Sequence, residues 1–217
     1  LTGKANSKEI KTKAVLARTN LGLLLKAIEY VTEKKKVKQI YFEGNINSYT
    51  YADEGASLYD VLNLYNEKHH LIKDKLIKAM KDLDELEDYI EKTEDVQLAM
   101  MVEIVKEYGN KIPDIIKAIK EKHVDNDDKE KAEMIFSTVH RCKGMEYDAI
   151  QLVNDFISEE KLAKLKEDKK AEDINATKLN EEINLLYVAV TRTKNSIHIP
   201  EPLMPSEFPK SSQIHVM

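Results

Sequence analysis

The 217 residues carry 34 lysines and arginines against 39 aspartates and glutamates, a formal net charge of −5, and are 42% hydrophobic. That composition supports one large domain, or one domain with an insertion, and argues against wholesale electrostatic adhesion to nucleic acid without excluding a local basic groove. No apolar run approaches the roughly 18 residues of a membrane span, so no membrane partner is expected, and the single cysteine, Cys142, excludes an internal disulfide.

In chain order, Lys13-Ala-Val-Leu-Ala17 predicts a short buried strand. Leu21, Leu24, Leu25, Ile28 and Val31 then recur at helical spacing, with Asn20 as the expected N-cap and Lys34, Lys35 and Lys36 at the end, where cations suit the helix dipole. Residues 37–42 predict a second strand, and strand-helix-strand opens an α/β layer architecture. From about Ser57 to Val124 the pattern is helical only: Leu58, Val61, Leu62 and Tyr65 form one stripe, and Leu98, Met101, Val102 and Val105 another. Thr93 and Gly109 supply breaks, and Pro113 marks a first helical turn. Much of the acid lies between Asp82 and Asp95, which leaves room for a DNA-contacting surface elsewhere. Strands return at Met134–Val139 and Ala149–Val153. A charged helix with a solvated face is expected over 158–170, then a helix with Ile183, Leu186, Tyr187 and Val190 on one face, and a strand at Ser196–Ile199. Pro200, Pro202, Pro205 and Pro209 make the tail irregular. The expected organisation is an α/β domain begun by residues 1–52, interrupted by a small all-helical insertion over 53–128, resumed over 129–200 and ended by a tail over 201–217.

Two segments carry chemistry. In Ser137-Thr-Val-His-Arg-Cys-Lys-Gly-Met-Glu-Tyr147, a strand ending in Thr138 and His140 presents a hydroxyl and an imidazole at the carboxyl edge of a sheet, where α/β proteins bind ligands. Arg141 and Lys143 add positive charge, Gly144 lets the backbone bend or approach a phosphate closely, and Glu146 is able to accept from a ribose hydroxyl. On spacing alone the same residues also read as an ordinary loop. In Asn180-Glu-Glu-Ile-Asn-Leu-Leu-Tyr-Val-Ala-Val-Thr-Arg-Thr-Lys194, Arg192 follows an apolar helix face. A rigidly held arginine there suits phosphoryl oxygens; equally, it suits the dipole at a helix end. Tyr49, Tyr51, Tyr59 and Tyr65 are able to stack on bases, with packing as the simpler reading, and the adjacent His69 and His70 point apart on a helix, so no metal site is expected.

The first segment resembles motif V of UvrD/Rep-type superfamily 1 DNA helicases, and the second resembles their motif VI; Ala14-Val-Leu-Ala-Arg-Thr-Asn20 resembles the segment that opens the same half of the motor. The resemblance implies the second, C-terminal RecA-like domain: a parallel sheet interrupted by a helical insertion. The short insertion and Tyr41-Phe-Glu-Gly-Asn45 look more like the branch of the F-box DNA helicases. By position, Thr138, His140, Arg18 and Asn20 would contact single-stranded DNA; Gly144, Glu146 and Lys143 would lie at ATP, and Arg192 would be the catalytic finger on its γ-phosphate. Cys142 stands where alanine is common in the family and reads as tolerated rather than catalytic. The sequence has no Gly-x-x-x-x-Gly-Lys-Ser/Thr loop and no recognisable acidic magnesium motif, so ATP and Mg2+ belong to the complete enzyme and the missing N-terminal RecA-like domain is the expected partner. The start at Leu1 suggests a piece of a longer protein, and a family of this kind with one cysteine suggests a cytoplasmic setting. A non-catalytic nucleic-acid- or protein-binding module derived from such a domain is the alternative.

Overall fold

The first strand is the central one: β1 (Lys13–Ala17) lies between β3 (Met134–Thr138) and β4 (Tyr147–Leu152), with β2 (Ile40–Phe42) outside β3 and β5 (Thr193–His198) outside β4. All four pairings are parallel, so the sheet runs β2-β3-β1-β4-β5 with every strand exit on one edge. The structure is a computed structural model and describes residues 10–32, 37–52, 55–168 and 176–207. Alternation along each strand divides the interior in two, because successive side chains of a strand face opposite ways. Val15, Ala17, Ile40, Phe42 and Phe136 enter one core, whereas Ala14, Leu16, Tyr41, Ile135, Ile150 and Leu152 enter the other. Strands buried on both faces read as continuous apolar runs, which is why β1 and β3 stand out in the sequence.

The first core is covered by α1 (Asn20–Thr32) and by five helices inserted between β2 and β3: α2 (Leu58–Tyr65), α3 (Lys75–Ala79), α4 (Leu83–Thr93), α5 (Val96–Tyr108) and α6 (Ile112–Lys122). The interior of the insertion is continuous with this core. Leu58, Met101, Ile104, Ile116 and Ile119 belong to the same buried cluster as Leu21, Leu24 and Ile28 of α1 and Phe42 of the sheet. Its acid run is largely structural. Asp82 accepts from the Glu85 N–H at 3.0 Å to open α4, while the Glu85 carboxylate returns to the Lys81 N–H, and Asp95 caps α5 through the Gln97 and Leu98 N–H groups. Glu94 in the left-handed region ends α4, Gly109 ends α5, and Pro113 sits in the first turn of α6.

The second face carries α8 (Ala176–Val190), and α7 (Glu159–Asp168) precedes it. Here the sequence reading needs a correction. Of the expected row, Leu186 and Val190 do pack inward, beside Leu185 and Ala189, while Ile183 and Tyr187 are 43% and 68% exposed. The packed stripe is rotated from the row expected. Boundaries also shift, β4 among them, which begins at Tyr147 rather than Ala149. Thr19, not Asn20, caps α1, its hydroxyl accepting from the Gly22 N–H at 3.0 Å. β2 begins at Ile40 rather than Val37, and β5 begins at Thr193 because it is an edge strand whose exposure alternates, so its apolar signal is weak. Lys34, Lys35, Lys36 and Pro209 lie outside the described residues.

Candidate functional site

At the exit edge of the sheet, β1 and β3 are neighbours in register, Ala17 beside Thr138, and the Val139 N–H donates to the Ala17 carbonyl at 3.0 Å. That pairing sets the β1 exit (Arg18, Thr19, Asn20) beside the β3 exit (Thr138, His140). His140 is exposed and Arg18 and Asn20 are half-buried, but Thr138 is only 6% exposed, and its carbonyl accepts from the Arg141 and Cys142 N–H groups. Arg18 does not project freely: its Nε lies 2.9 Å and its Nη2 2.8 Å from the two carboxylate oxygens of Glu182, a forked pair that ties the β1 exit to α8.

The β1 exit is held by Asp155, which follows β4. One carboxylate oxygen accepts from the Arg18 N–H at 2.9 Å, and the other from the Thr19 N–H at 2.8 Å and the Thr19 hydroxyl at 2.9 Å. Burial pushes the Asp155 carboxyl above its ordinary value, and these hydrogen bonds pull back only in part. Gly22 makes the approach possible, since a Cβ there would stand 2.3 Å from the Asp155 oxygen.

From the β3 exit the chain crosses to the opposite edge in residues 139–146 alone. Arg141, expected to add ligand-facing charge, is instead a clamp. Its Nη1 donates to the Glu43 carbonyl at 2.7 Å, its Nη2 to the Ser48 hydroxyl at 3.0 Å, and the guanidinium lies 4.9 Å from the Tyr49 ring centre. Cys142 is fully buried, and desolvation pushes its thiol up to about 11, which keeps it neutral and unreactive.

At the opposite edge Gly144 has φ +85, and nothing lies within 4 Å of where its Cβ would be, so the glycine serves the turn and leaves open space before it. The Tyr147 N–H donates to the Arg192 carbonyl at 2.9 Å, joining the entries of β4 and β5. Arg192 lies over this junction: Nε donates to the Val188 carbonyl at 3.0 Å, Nη1 reaches the Met145 carbonyl at 3.4 Å, and Nη2 the Thr191 hydroxyl at 3.1 Å. Lys194 pairs with Glu146 at 3.6 Å, and Lys143 is exposed on the same loop. The structure therefore gathers Gly144, Glu146, Lys143 and Arg192 at one edge and Thr138, His140, Arg18 and Asn20 at the other. Asp155, Glu182 and Lys194 were not singled out from sequence. An aspartate two residues beyond the strand-like run ending at Val153 was the one local signal for Asp155.

A five-stranded parallel sheet with helices on both faces, crossed in one short segment that serves both edges, defines a RecA-like α/β domain. The UvrD-like helicase C-terminal domain family matches residues 7–200, and the chain belongs to that family. It is similar to F-box DNA helicase 1 of Gallus gallus, with 27% identity over 198 residues, which is 87% of this chain and 19% of that protein. The chain thus spans about a fifth of the length of that relative.

Proposed function

We propose that this chain is the C-terminal motor domain of an ATP-dependent DNA helicase or translocase, with single-stranded DNA at the strand exits and ATP at the entries of β4 and β5. The observation that carries this reading is the short crossing of residues 139–146, which links His140 at one edge to Gly144 and Glu146 at the other. A displacement at either edge is passed along a segment too short to absorb it. DNA stepping and phosphate chemistry are coupled in this way. The phosphate-binding loop and the magnesium ligands come from a first RecA-like half. Of the carboxylates at this edge, Asp148 is engaged by the Thr12 N–H at 2.8 Å, whereas Glu146 keeps only a long, exposed pair with Lys194 at 3.6 Å. Ile183 and Tyr187, exposed on the helix that delivers Arg192, support a second body docking there.

At this junction Arg192 keeps Nε on the Val188 carbonyl while Nη1 and Nη2 exchange their neutral acceptors for the charged oxygens of the γ-phosphate. A guanidinium fork there stabilises the charge that builds as water attacks, an effect worth roughly a thousand- to a hundred-thousand-fold in rate. Gly144 admits the ligand and Glu146 accepts from a ribose hydroxyl.

A second reading, a non-catalytic binding module, is favoured by the bond from Arg192 Nε to the Val188 carbonyl at 3.0 Å in the last turn of α8, as a helix-end cation makes. DNA-stimulated ATP hydrolysis by the complete protein separates the two. The finger role predicts that Arg192→Ala and Arg192→Lys both lose at least about a hundredfold in turnover while still binding ATP. Parent-like turnover in Arg192→Lys would leave only a helix-end cation.

A further inference from the structure

Of the four tyrosines around the start of the insertion, packing explains one. Tyr49 is 1% exposed, with its ring centre 4.8 Å from that of Phe42. Tyr51 and Tyr59 are 47% and 37% exposed, and both line a groove of about 690 Å3 between the Tyr51/Ser57 bridge, α2 and residues 71–75, together with Asn63, Leu71, Lys73 and Lys75. We propose that this groove binds unpaired bases of single-stranded DNA, with Tyr51 and Tyr59 as stacking faces and Lys73 and Lys75 beside the phosphates.

Both rings stand on fixed backbone. Tyr51 is bridged antiparallel to Ser57, the Ala52 N–H donates to the Ala56 carbonyl at 2.8 Å, and the Ser57 hydroxyl accepts from the Tyr59 N–H to open α2. A tyrosine has few rotatable bonds, so presenting its face to a base costs little entropy. The phenol of Tyr59 is pushed above its ordinary value first by burial and then by Tyr51, as expected of two rings sharing one groove.

The groove is less acidic than its sequence. Asp60 accepts from the Lys73 N–H at 2.8 Å and Asp74 caps α3 through the Ile77 N–H at 2.9 Å, so both carboxylates are turned to the fold while Lys73 and Lys75 stay exposed. With only two lysines, attraction to phosphate is modest and stacking carries the binding. Stacking needs an exposed base face, which a duplex does not offer.

Position supports the same ligand. The 3-10 turn Ile46–Thr50 follows β2 at the edge where His140 follows β3, and Arg141 pins that turn through the Ser48 hydroxyl and the Tyr49 ring. The groove therefore continues the strand-exit edge outward, and the inference rests on reading that edge as the DNA side.

The test is titration of fluorescently labelled single-stranded DNA into the complete protein. Tyr51→Ala with Tyr59→Ala should bind roughly tenfold or more weakly, and Tyr51→Phe with Tyr59→Phe should bind like the parent. Lys73→Ala with Lys75→Ala, which alters only exposed side chains, should reduce the slope of log affinity against log salt by about 1.4. Parent-like affinity in the alanine pair, or a phenylalanine pair as weak as the alanine pair, overturns the stacking platform and leaves the motor reading standing. An unchanged salt slope in the lysine pair removes the phosphate contacts even should the alanine pair fail to fold. No binding of single-stranded DNA by the parent overturns both readings together.

Discussion

Gly22 and Asp155 offer a double substitution whose sign should reverse. An alanine Cβ at position 22 would stand 2.3 Å from one Asp155 oxygen, about 1.1 Å inside ordinary contact at 3.4 Å. That oxygen holds the Thr19 N–H at 2.8 Å and the Thr19 hydroxyl at 2.9 Å, so a retreat of this size breaks both bonds. Hydrogen bonds to a charged group are worth about 1.5–3 kcal/mol each, and glycine to alanine within a helix returns about 0.5–1 kcal/mol. Gly22→Ala alone should therefore destabilise the protein by about 2–5 kcal/mol, which for a chain of this size lowers Tm by roughly 4–20 °C.

With Asp155→Ala already in place the carboxylate is gone, and the nearest atom is Thr19 Oγ1 at 3.1 Å, which has to yield only slightly. There Gly22→Ala should stabilise by at most about 0.5–1 kcal/mol. Asp155→Ala itself leaves two backbone N–H groups without an acceptor and should cost about 3 kcal/mol. Thermal and urea unfolding of the parent, both single variants and the double variant measures the coupling directly. Equal costs of Gly22→Ala in the two backgrounds would show that the carboxylate does not occupy the space beside Gly22.

Burial pushes the Tyr49 phenol from its ordinary 10.0 up to about 12, so the folded state keeps this proton longer than the unfolded chain does. Stability should fall as pH rises from about 10 to about 12, and Tyr49→Phe should weaken that slope in urea unfolding across the window. Asp155 is raised above its ordinary 3.8, so its folded form also binds the proton more tightly. Acidification from above its folded value toward 3.8 should widen the stability gap between the parent and Asp155→Ala, whereas a gap that narrows would contradict the burial. Gly44 and Gly144 both have φ near +85, but a Cβ at Gly44 would stand 2.8 Å from Arg141 Nη1, and at Gly144 it meets nothing within 4 Å. Gly144→Ala should cost about 1–2 kcal/mol from backbone strain alone, and Gly44→Ala clearly more, as compared by their Tm values.

What sequence conveyed was periodicity. β1 and β3 are apolar because both faces are buried, and the helices of the insertion carry their own stops at Thr93 and Gly109 and a start at Pro113. What it did not convey was partnership across distance. The Asp155 bonds to Thr19 join residues 136 apart in the chain, and the Arg18 pair with Glu182 joins residues 164 apart. No local pattern marks such pairs, and for that reason Arg18 and Arg141 looked like ligand contacts when their guanidinium groups are largely engaged within the fold. Tyr51 and Tyr59 show the converse, since composition favoured packing and only the exposure of each ring separates them from Tyr49.

The shared core bears on how the proposed motor would transmit force. Insertions with their own interior are free to hinge about their two connections, but here the cluster that contains Val15 and Phe136 of the sheet also contains Met101 and Ile119 of the insertion. Rotating the insertion about its links would expose that continuous cluster, at about 25 cal/mol for each Å2 of apolar surface returned to water. The insertion is therefore carried with the sheet, and the Arg141 clamp adds a polar tie at the strand-exit edge. DNA held at Tyr51 and Tyr59 and DNA held at His140 would then move as one body when the cleft at Arg192 closes. In the proposed motor the step would then be set by motion of this whole domain against its partner.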